Sequence, residues 1–457
     1  MHILFITLLI MFAPFMNAVE ESEQINIRLA TDNQSMPLYL SKFINENSGL
    51  GSEYLQKLEQ ILTFDLNHNG MTYTLSQTTE NEKLVSRLSS GTVSAKEWKP
   101  VSIYYVVKVV ARTDKKLSTT LLSVSGNAAN SIDGITLTGD LNRDRRQVHQ
   151  LADAIYKALF DENGIATTRI LYSVKPRGET PKDKWVADIW ESDYDGGNAR
   201  PVIRDGSYNI SPVYIPPKAG FSSGSFFYVS YKSAQPKIFF ATLKEGVGRR
   251  MSYLRGNQLM PSISRQRNQI AFVCDVTGNP DLFLQNFSPD EGVKDKPRQI
   301  FAAHKATQGS PTFSPDGKRI AFVTNKDGSP RVYVMDVPAL GTPLKDIKAQ
   351  LVTKHSREST APTWSPDGTK LAYCALTSGV RQIWVYDFTT KEERQLTKGP
   401  GNKENPSWAP NSMCLVYNCS DTGACELFLT TINQGISTKI STNAGEKRFP
   451  NWEARAG

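Results

Sequence analysis

Short stretches of alternating apolar and polar residues, separated by turns that contain Gly or Pro, fill the last two-thirds of this 457-residue chain. Two stretches are near-copies: SPTFSPDGKRIAFVTNKDGSPRVYVMD begins at Ser310, and APTWSPDGTKLAYCALTSGVRQIWVYD begins at Ala361. Alternation with a period of two predicts half-buried β-strands. Each copy holds one strand, an SPDG turn and then two further strands, so the pattern predicts a β-sheet unit that recurs along the chain.

A proline marks the same position in each unit and recurs at intervals of 44 residues (406 to 450) to 51 residues (311 to 362). Repeats of about 40–50 residues that contain several strands are typical of propeller blades. The anchor prolines are Pro212, Pro261, Pro311, Pro362, Pro406 and Pro450. Five of them are followed by predicted strand pairs, at 226–231 with 238–243, 270–274 with 282–287, 320–324 with 332–337, 371–375 with 383–388, and 415–419 with 427–432.

The sixth anchor, in FPNWEARAG from Phe449, has no strand pair after it, whereas a pair at 169–174 and 185–190 has no anchor before it. The unmatched anchor strand and the unmatched strand pair form one blade if the C-terminal strand is the innermost strand of the first blade. Such closure removes the exposed sheet edges of an open array. The sequence therefore predicts a closed ring of six four-stranded blades, from which removal of residues 449–457 would unfold or aggregate the protein.

Residues 19–165 mix helical and strand patterns without the anchor motif, which predicts a separate α/β domain with its own core. We expect Ser52 to cap a helix that runs to about Leu66, and the strand 101–111 to form a hairpin with 117–124. A second helix, 143–160, carries an apolar stripe. The run Arg143–Arg146 is interpreted as the solvated start of this helix. His68 and His149 lie on different elements, and we expect each to be hydrogen-bonded or exposed and not a metal ligand.

The apolar run from Ile3 to Phe15, followed by small residues near Ala18, predicts a secretory signal peptide over residues 1–18, with a short membrane anchor as the alternative. The predicted organisation is thus 1–18 signal peptide, 19–165 α/β domain with a flexible leading segment, and 166–457 propeller. The fold class is multidomain α/β plus all-β, and we expect the mature chain to be soluble and monomeric.

Composition narrows the classes of function. The five cysteines form no CxxC pair of metal type. Cys419 and Cys425 flank a turn, so they could face each other across a hairpin and form a disulfide in an exported protein. A formal charge of +8 is compatible with an anionic surface as partner. Basic residues do not alternate with aromatic residues as they do on nucleic-acid platforms, so no nucleic-acid partner is expected. We predict no catalytic, cofactor or metal site.

Several strings together resemble the TolB family, the periplasmic component of the Tol-Pal envelope system. They are INIRLA at Ile25, QVHQLADAIYKALF at Gln147, TRILYSV at Thr168, SDYDG at Ser192, the SPDG blades and the terminal FPNW at Phe449. The resemblance covers essentially the whole mature chain. The SPDG turn is replaced in two blades, at residues 215–218 and 264–267, and is missing after the last anchor.

Because blade strands alternate in direction, the segments before each anchor lie on the face opposite the SPDG turns, around the central channel. A rigid scaffold that carries varied polar loops is typical of a recognition surface. The resemblance implies that these loops bind a Pal-like peptidoglycan-associated lipoprotein. The predicted contact residues are Tyr208, Asn209, Asn257, Gln258, Thr307, Gln308, Glu358, Ser359, Lys403, Glu404, Lys447 and Arg448.

The resemblance also implies that the first mature residues engage a TolA-like inner-membrane protein, and that outer-membrane proteins are further partners. The candidate residues are Glu20, Glu21, Glu23, Ile25, Ile27 and Leu29. The implied role is a non-enzymatic scaffold that supports envelope integrity, cell division and protein transport.

Three other interpretations of the sequence are a calcium site at the SPDG turns, a serine hydrolase and a propeller that binds peptidoglycan. Asp316 and Asp367 supply one carboxylate per SPDG turn, well short of the 6–8 oxygen ligands of calcium, so turn formation is favoured. Ser222 is central in a literal G-x-S-x-G match, but that motif needs a strand before the serine and a helix after it. An exported propeller that binds peptidoglycan directly, or a propeller-associated serine hydrolase, remains as the alternative function.

Overall fold

The computed structural model describes residues 35–88, 97–98, 102–176, 185–441 and 444–455, and these form one compact unit. Its α/β part is built on a mixed sheet. The strands are β1 (Met36–Leu40), β2 (Ile44–Asn45), β3 (Thr72–Thr74), β4 (Tyr105–Ala111), β5 (Lys116–Ser123) and β6 (Ala128–Thr136). The order is β3-β1-β4-β5-β6, with β2 beside β4. The predicted hairpin is confirmed, because β4 and β5 pair antiparallel from Tyr105 opposite Ser123 to Ala111 opposite Leu117.

Three helices accompany the sheet: α1 (Ser52–Asn67), α2 (Thr79–Ser86) and α3 (Leu141–Phe160). Ser52 is the first helical residue and not the cap, because the extended residue before the helix is Gly51, and no side chain caps this helix. Helix α3 begins two residues earlier than predicted, since Asp140 accepts a hydrogen bond from the Arg143 backbone N–H at 3.0 Å and caps it.

The two faces of this sheet bury different partners. Leu38 and Leu40 of β1 pack with the apolar faces of α1 and α3, whereas Tyr39 between them packs with Val85 and Trp98 on the other side. This follows from the alternation of side chains along a strand. Asp144 is buried at the start of α3, so the interpretation of its run as solvated is wrong for this residue.

The propeller has six sheets, numbered here as blades 1–6. Blade 1 holds β7 (Arg169–Lys175), β8 (Asp188–Asp193) and β9 (Arg200–Ile203); blade 2 holds β10 (Asn209–Tyr214), β11 (Ser225–Ser233), β12 (Gln235–Thr242) and β13 (Arg249–Arg250); blade 3 holds β14 (Gln258–Ile263), β15 (Gln269–Cys274), β16 (Asp281–Ser288), β17 (Gly292–Val293) and β18 (Arg298–Phe301). Blade 4 holds β19 (Gln308–Phe313), β20 (Arg319–Thr324), β21 (Arg331–Asp336) and β22 (Gln350–Leu351); blade 5 holds β23 (Ser359–Trp364), β24 (Lys370–Thr377), β25 (Val380–Asp387) and β26 (Glu393–Gln395); blade 6 holds β27 (Asn402–Trp408), β28 (Cys414–Asp421), β29 (Ala424–Thr431) and β30 (Ser437–Lys439).

The last strand, β31 (Glu446–Trp452), closes the ring. It pairs antiparallel with β7 and gives blade 1 the order β31-β7-β8-β9, as predicted from the unmatched anchor and the unmatched strand pair. The predicted second strand of this pair began too early, since β8 starts at Asp188 and Trp185 is 69% exposed ahead of it.

The SPDG turns form as predicted. Asp316 accepts hydrogen bonds from the Ser314 hydroxyl at 2.6 Å and the Lys318 backbone N–H at 3.1 Å, and Gly317 takes the left-handed conformation with φ at 71°. These bonds hold the pKa of Asp316 below its usual range, led by the bond from Ser314. We call the face that carries these turns the lower face, and the face on which the inner strands begin the upper face.

The α/β part sits against the lower face of blades 6 and 1. The Asn411 side chain donates to Asn69 O at 2.9 Å, and His68 Nε2 lies 2.9 Å from Thr438 Oγ1. One hydrophobic cluster runs from the α/β part through Cys414 and Trp452 into the blades. The expectation that the α/β domain buries its own core is therefore confirmed for the cluster around Tyr39, Val85 and Trp98 and wrong for the other face of the sheet, where the propeller completes the core.

The structure has no disulfide between Cys419 and Cys425. Strand pairing places Cys425 opposite Ser420 and Cys419 opposite Glu426, so the two thiols do not face each other. Both are free cysteines, as are the other three. Burial raises the pKa of the Cys425 thiol to about 11, which keeps it protonated at neutral pH.

Candidate functional site

The upper face surrounds the mouth of a central channel to which every blade contributes the same three positions. The channel has a volume of about 210 Å³ and is lined by the anchor prolines and the residues on either side of them. In all six inner strands the pairing register shifts at this point, which is the signature of a β-bulge. The bulge turns the side chains that follow it toward the channel.

The residue before each anchor proline has a positive φ, between 45° and 56°. These residues are Ser211, Met260, Ser310, Ala361, Asn405 and Phe449. Non-glycine residues rarely adopt this conformation, and its recurrence in six blades shows that the bulge is part of the blade design. The lining therefore differs from blade to blade in side chain while the backbone stays the same.

The residue three positions before each anchor proline is buried in every blade. Six predicted contact residues occupy this position: Asn209, Gln258, Gln308, Ser359, Lys403 and Lys447. Burial within the blades is inconsistent with direct contact to a partner, so for these six the prediction is corrected. Both residues of each adjacent pair were predicted as contacts, whereas neighbouring residues of a strand point to opposite sides, so one of each pair is buried.

Several of these buried side chains fasten the loop that leads into the strand. Lys403 Nζ donates to the carbonyl oxygens of Gly399, Pro400 and Gly401 at 2.9, 2.5 and 3.0 Å. Burial lowers the pKa of this ammonium group. Gln308 donates to Asp281 Oδ1 at 3.1 Å and accepts from the Thr324 hydroxyl at 2.8 Å. They thus hold the upper-face loops in place from beneath.

The other six predicted contact residues reach the surface of the upper face. Thr307 is exposed, and the rest are half-buried: Tyr208, Asn257, Glu358, Glu404 and Arg448. Backbone hydrogen bonds hold two of these loops. The Asn257 N–H donates to Asp275 Oδ1 and the Thr307 N–H donates to Asn325 Oδ1, each at 2.7 Å. The surface is therefore presented by ordered loops, which lowers the entropy lost on binding.

An aromatic group lies on the upper face of blades 1 and 2. The rings of Trp185 and Tyr208 meet edge to face with centroids 6.0 Å apart, and those of Tyr208 and Tyr231 with centroids 5.5 Å apart. Nearby in sequence, Tyr253 is 85% exposed and lies under the guanidinium of Arg250 at 5.0 Å. Trp, Tyr and Arg are the residue types enriched among the residues that dominate binding energy in protein interfaces.

Sequence reasoning identified Tyr208 but missed Trp185, Tyr231 and Tyr253. Their signal was present, because each lies beside a turn on the same face as Tyr208. A search for exposed aromatic residues at the ends of predicted strands would have found them. We refer to Trp185, Tyr208, Tyr231 and Tyr253 as the aromatic group.

Charged residues lie on the upper face of blades 5, 6 and 1. The Arg381 guanidinium lies 3.8 Å from Glu358 and 3.5 Å from Glu404, so it connects the loops of blades 5 and 6. Arg448 lies 3.3 Å from Glu446 two residues before it on β31, the inner strand of blade 1. The three predicted charged residues Glu358, Glu404 and Arg448 are therefore paired, and a partner would have to compete with these ion pairs.

The geometry of a serine hydrolase is missing around Ser222 in the described part of the chain. Ser222 lies in an exposed loop on the lower face, ahead of β11 and not before a helix. His304 and His355 follow it in sequence but lie in loops that lead into β19 and β23 on the upper face. Opposite faces of the ring separate the candidate nucleophile from these two bases.

The residues predicted to bind a TolA-like protein, Glu20, Glu21, Glu23, Ile25, Ile27 and Leu29, lie outside the described residues, as does the predicted signal peptide. Among the described residues, no helix has the length and apolar character that a bilayer crossing requires.

Comparisons with known proteins agree with this architecture. The family model of the TolB beta propeller domain matches residues 156–456. The chain is 51% identical over 394 residues to a protein TolB homolog of Protochlamydia amoebophila, covering 86% of this chain and 84% of that protein. It is 36% identical to the homolog of Chlamydia felis, covering 84% and 83%.

A solved structure shares the fold. The crystal structure of TolB from Acinetobacter baumannii superposes with a TM-score of 0.74 at 22% identity and covers 93% of this chain and 98% of that one. From the six-bladed ring closed by its C-terminal strand, the α/β part on its lower face and the extent of these matches, we conclude that the chain belongs to the TolB family.

Proposed function

We propose that this chain is a non-enzymatic, periplasmic interaction scaffold of the Tol-Pal system. It binds a Pal-like peptidoglycan-associated lipoprotein on the upper face of the propeller, and in this role supports envelope integrity and cell division. The observation that carries the proposal is the aromatic group on the upper face of blades 1 and 2, which the α/β part leaves open.

Three parts of the upper face favour the binding of a protein partner: the exposed aromatic residues, the ordered loops and the paired charges. Exposed Trp185 and Tyr253 offer apolar area with few rotatable bonds, so their burial against a partner gains hydrophobic free energy at low entropic cost. The ordered loops carry that area in a fixed arrangement. The paired charges around Arg381 favour a partner with its own polar rim over an apolar one.

The N-terminal part of the proposal is that residues 19–30 engage a TolA-like inner-membrane protein. Its support is the family membership and the position of this segment ahead of the α/β part. The proposed location in the periplasm rests on the apolar N-terminal run of the sequence and on the family.

The test is binding to the periplasmic domain of the Pal-like lipoprotein from the same genome, measured by biolayer interferometry. We expect Tyr253→Ala and Trp185→Ala each to weaken binding at least about tenfold, which corresponds to about 1.4 kcal/mol. Phe221→Ala is the matched control, because Phe221 is 72% exposed but lies on the lower face. Equal effects of all three substitutions, or none, would contradict the proposed face.

The alternative functions give different outcomes. A propeller that binds glycan directly would sediment with purified peptidoglycan in the absence of the lipoprotein, and substitutions in the aromatic group would abolish that sedimentation. A hydrolase would lose its activity in Ser222→Ala. We expect neither result, and we expect Ser222→Ala to bind the lipoprotein like the unmodified chain.

A further inference from the structure

The string SDYDG, which begins at Ser192, places two carboxylates at the boundary between the α/β part and blade 1. Asp193 ends β8, and Asp195 follows in the turn toward β9. The turn needs glycine at Gly196, where φ is 86° and a side chain would collide with Ile440 O. Close contact with blade 6 therefore fixes the position of this turn. The turn plays no part in the proposed binding of the lipoprotein on the upper face.

Side chains from two helices converge on these carboxylates. Helix α1 contributes Asp65, and α3 contributes His149 and Arg145, one turn apart on the same face. His149 and Asp65 are buried, with side chains 2% and 0% exposed. Asp65, His149 and Asp195 each present a ligand atom within 4.8 Å of the others.

Asp65 orients the imidazole of His149. Asp65 Oδ2 lies 2.8 Å from His149 Nδ1, and the Tyr194 hydroxyl donates to Asp65 Oδ1 at 2.7 Å. In metal sites a carboxylate commonly holds the outer nitrogen of a ligating histidine in this way, which fixes the ring and leaves the other nitrogen for the ion.

The other nitrogen points at the SDYDG carboxylates. His149 Nε2 lies 3.7 Å from Asp195 Oδ2 and 4.0 Å from Asp193 Oδ2, and no described residue lies within hydrogen-bonding distance of it. These separations are too long for hydrogen bonds. They are close to the ~3.4 Å expected between two ligands of one zinc ion at bond lengths of about 2.0–2.2 Å.

We propose that His149 Nε2, Asp193 and Asp195 form a binding site for a divalent transition-metal ion, best matched by zinc, with Asp65 as the outer carboxylate. One nitrogen and two carboxylate oxygens, completed by water, suit the four-coordinate geometry of zinc. Bound there, the ion joins α3 to the turn of blade 1 and fixes the α/β part on the propeller.

One cation competes with the ion. The Arg145 guanidinium contacts Asp195 and lies 3.9 Å from Asp193, and its side chain is 21% exposed. An ion at this site therefore has to displace Arg145 from the carboxylates.

Isothermal titration of the chelator-treated full chain with zinc chloride tests the site. We expect one equivalent of zinc to bind and the melting temperature to rise with zinc concentration. His149→Gln and Asp195→Asn should lose this equivalent, whereas His68→Gln, a control at a hydrogen-bonded histidine nearby, should keep it.

Arg145→Gln is the decisive variant because it removes a competing cation without removing a ligand. We expect it to bind zinc at least about tenfold more tightly than the unmodified chain, and this readout does not depend on whether His149→Gln folds. Zinc binding that is weak, exceeds one equivalent or persists in His149→Gln would indicate an adventitious ion only and overturn the proposal, as would unchanged affinity in Arg145→Gln. None of these results bears on lipoprotein binding at the upper face.

Discussion

The Glu453 carboxylate holds the Arg169 guanidinium at 3.1 Å and so joins the end of the chain to the first strand of the propeller across 284 residues. The same carboxylate accepts hydrogen bonds from the backbone N–H groups of Arg169 at 3.2 Å and Ser223 at 2.8 Å. Arg169 also pairs with Glu191 of β8 at 3.1 Å. The closing strand is thus anchored by a buried ion-pair network as well as by its backbone pairing.

Loss of the Arg169 side chain should destabilise the ring strongly. Arg169→Met leaves Glu453 and Glu191, whose side chains are 5% and 3% exposed, without this cation. Removal of one partner from a buried pair costs about 3–5 kcal/mol, and we expect a loss of this size in the free energy of urea unfolding. Glu53→Gln, in an exposed pair with Lys57, is the control and should change stability by less than about 0.5 kcal/mol. Equal stability of the two variants would show that the network does not hold the closure.

The six equivalent positions below the upper-face loops should not respond equally to truncation. Gln308→Ala removes the hydrogen bond that Gln308 donates to Asp281 and the one that it accepts from Thr324, and we expect a loss of about 1–3 kcal/mol in unfolding free energy. Ser359 occupies the same position in the next blade, but its buried hydroxyl has no hydrogen-bond partner among the described residues. Ser359→Ala should therefore be neutral or slightly stabilising. A loss of similar size in both would mean that side-chain volume, and not hydrogen bonding, matters at this position.

A β-branched residue should be tolerated poorly at the bulge before an anchor proline. Ala361 has φ at 49°, where a branched Cβ is a steric outlier. We expect Ala361→Val to lower the unfolding free energy by at least about 1–2 kcal/mol. Ala302→Val, at an exposed position without positive φ, tests the effect of valine itself. Equal calorimetric melting temperatures of the two variants would show that the positive φ at Ala361 causes no strain with valine.

Asp144 should make the protein sensitive to acid. It accepts hydrogen bonds from the Tyr54 hydroxyl at 2.5 Å and from the backbone N–H groups of Thr138 at 2.8 Å and Gly139 at 2.9 Å. Burial acts to raise its pKa, but these bonds outweigh burial and hold the pKa below the ordinary value of 3.8.

A lowered pKa in the folded state means that the ionised carboxylate stabilises the fold above pH 3.8, and that this stability is lost as the pH falls through the folded-state value. Asp144→Asn should cost about 1–3 kcal/mol at pH 7, and the difference from the unmodified chain should shrink below about pH 4. Asp140→Asn is the control, since asparagine caps helices as well as aspartate does. A difference that stays constant from pH 7 to pH 3 would rule out this assignment.

The parts of the fold that the sequence predicted correctly are those set by local pattern. Strand pairs such as 320–324 with 332–337 alternate in polarity and flank a turn that glycine permits, so their pairing needs no information from elsewhere in the chain. Closure by β31 was predictable because a ring with one unmatched anchor and one unmatched pair has a single arrangement that leaves no open edge.

The candidate site was predicted only in part, because both residues of each adjacent pair were predicted as contacts although side chains alternate between the two sides of a strand. Tyr208 was placed correctly on the upper face, but its neighbour Asn209 is buried, and so are the five residues equivalent to Asn209. A shift of one residue exchanges the two faces of a strand, so an error of one position moves a residue from the surface into the blade.

The sequence by itself determined the blades, their number and the closure of the ring, because alternation, turn residues and repeat length act over neighbouring residues. Only the tertiary structure decided that the α/β part shares its core with blades 6 and 1 and that Asp65, His149, Asp193 and Asp195 meet. These residues come from two helices and a blade turn, and each has local hydrogen-bonding and packing reasons for its own position. Their convergence depends on how the helices and blades pack together, which no local pattern in the chain encodes.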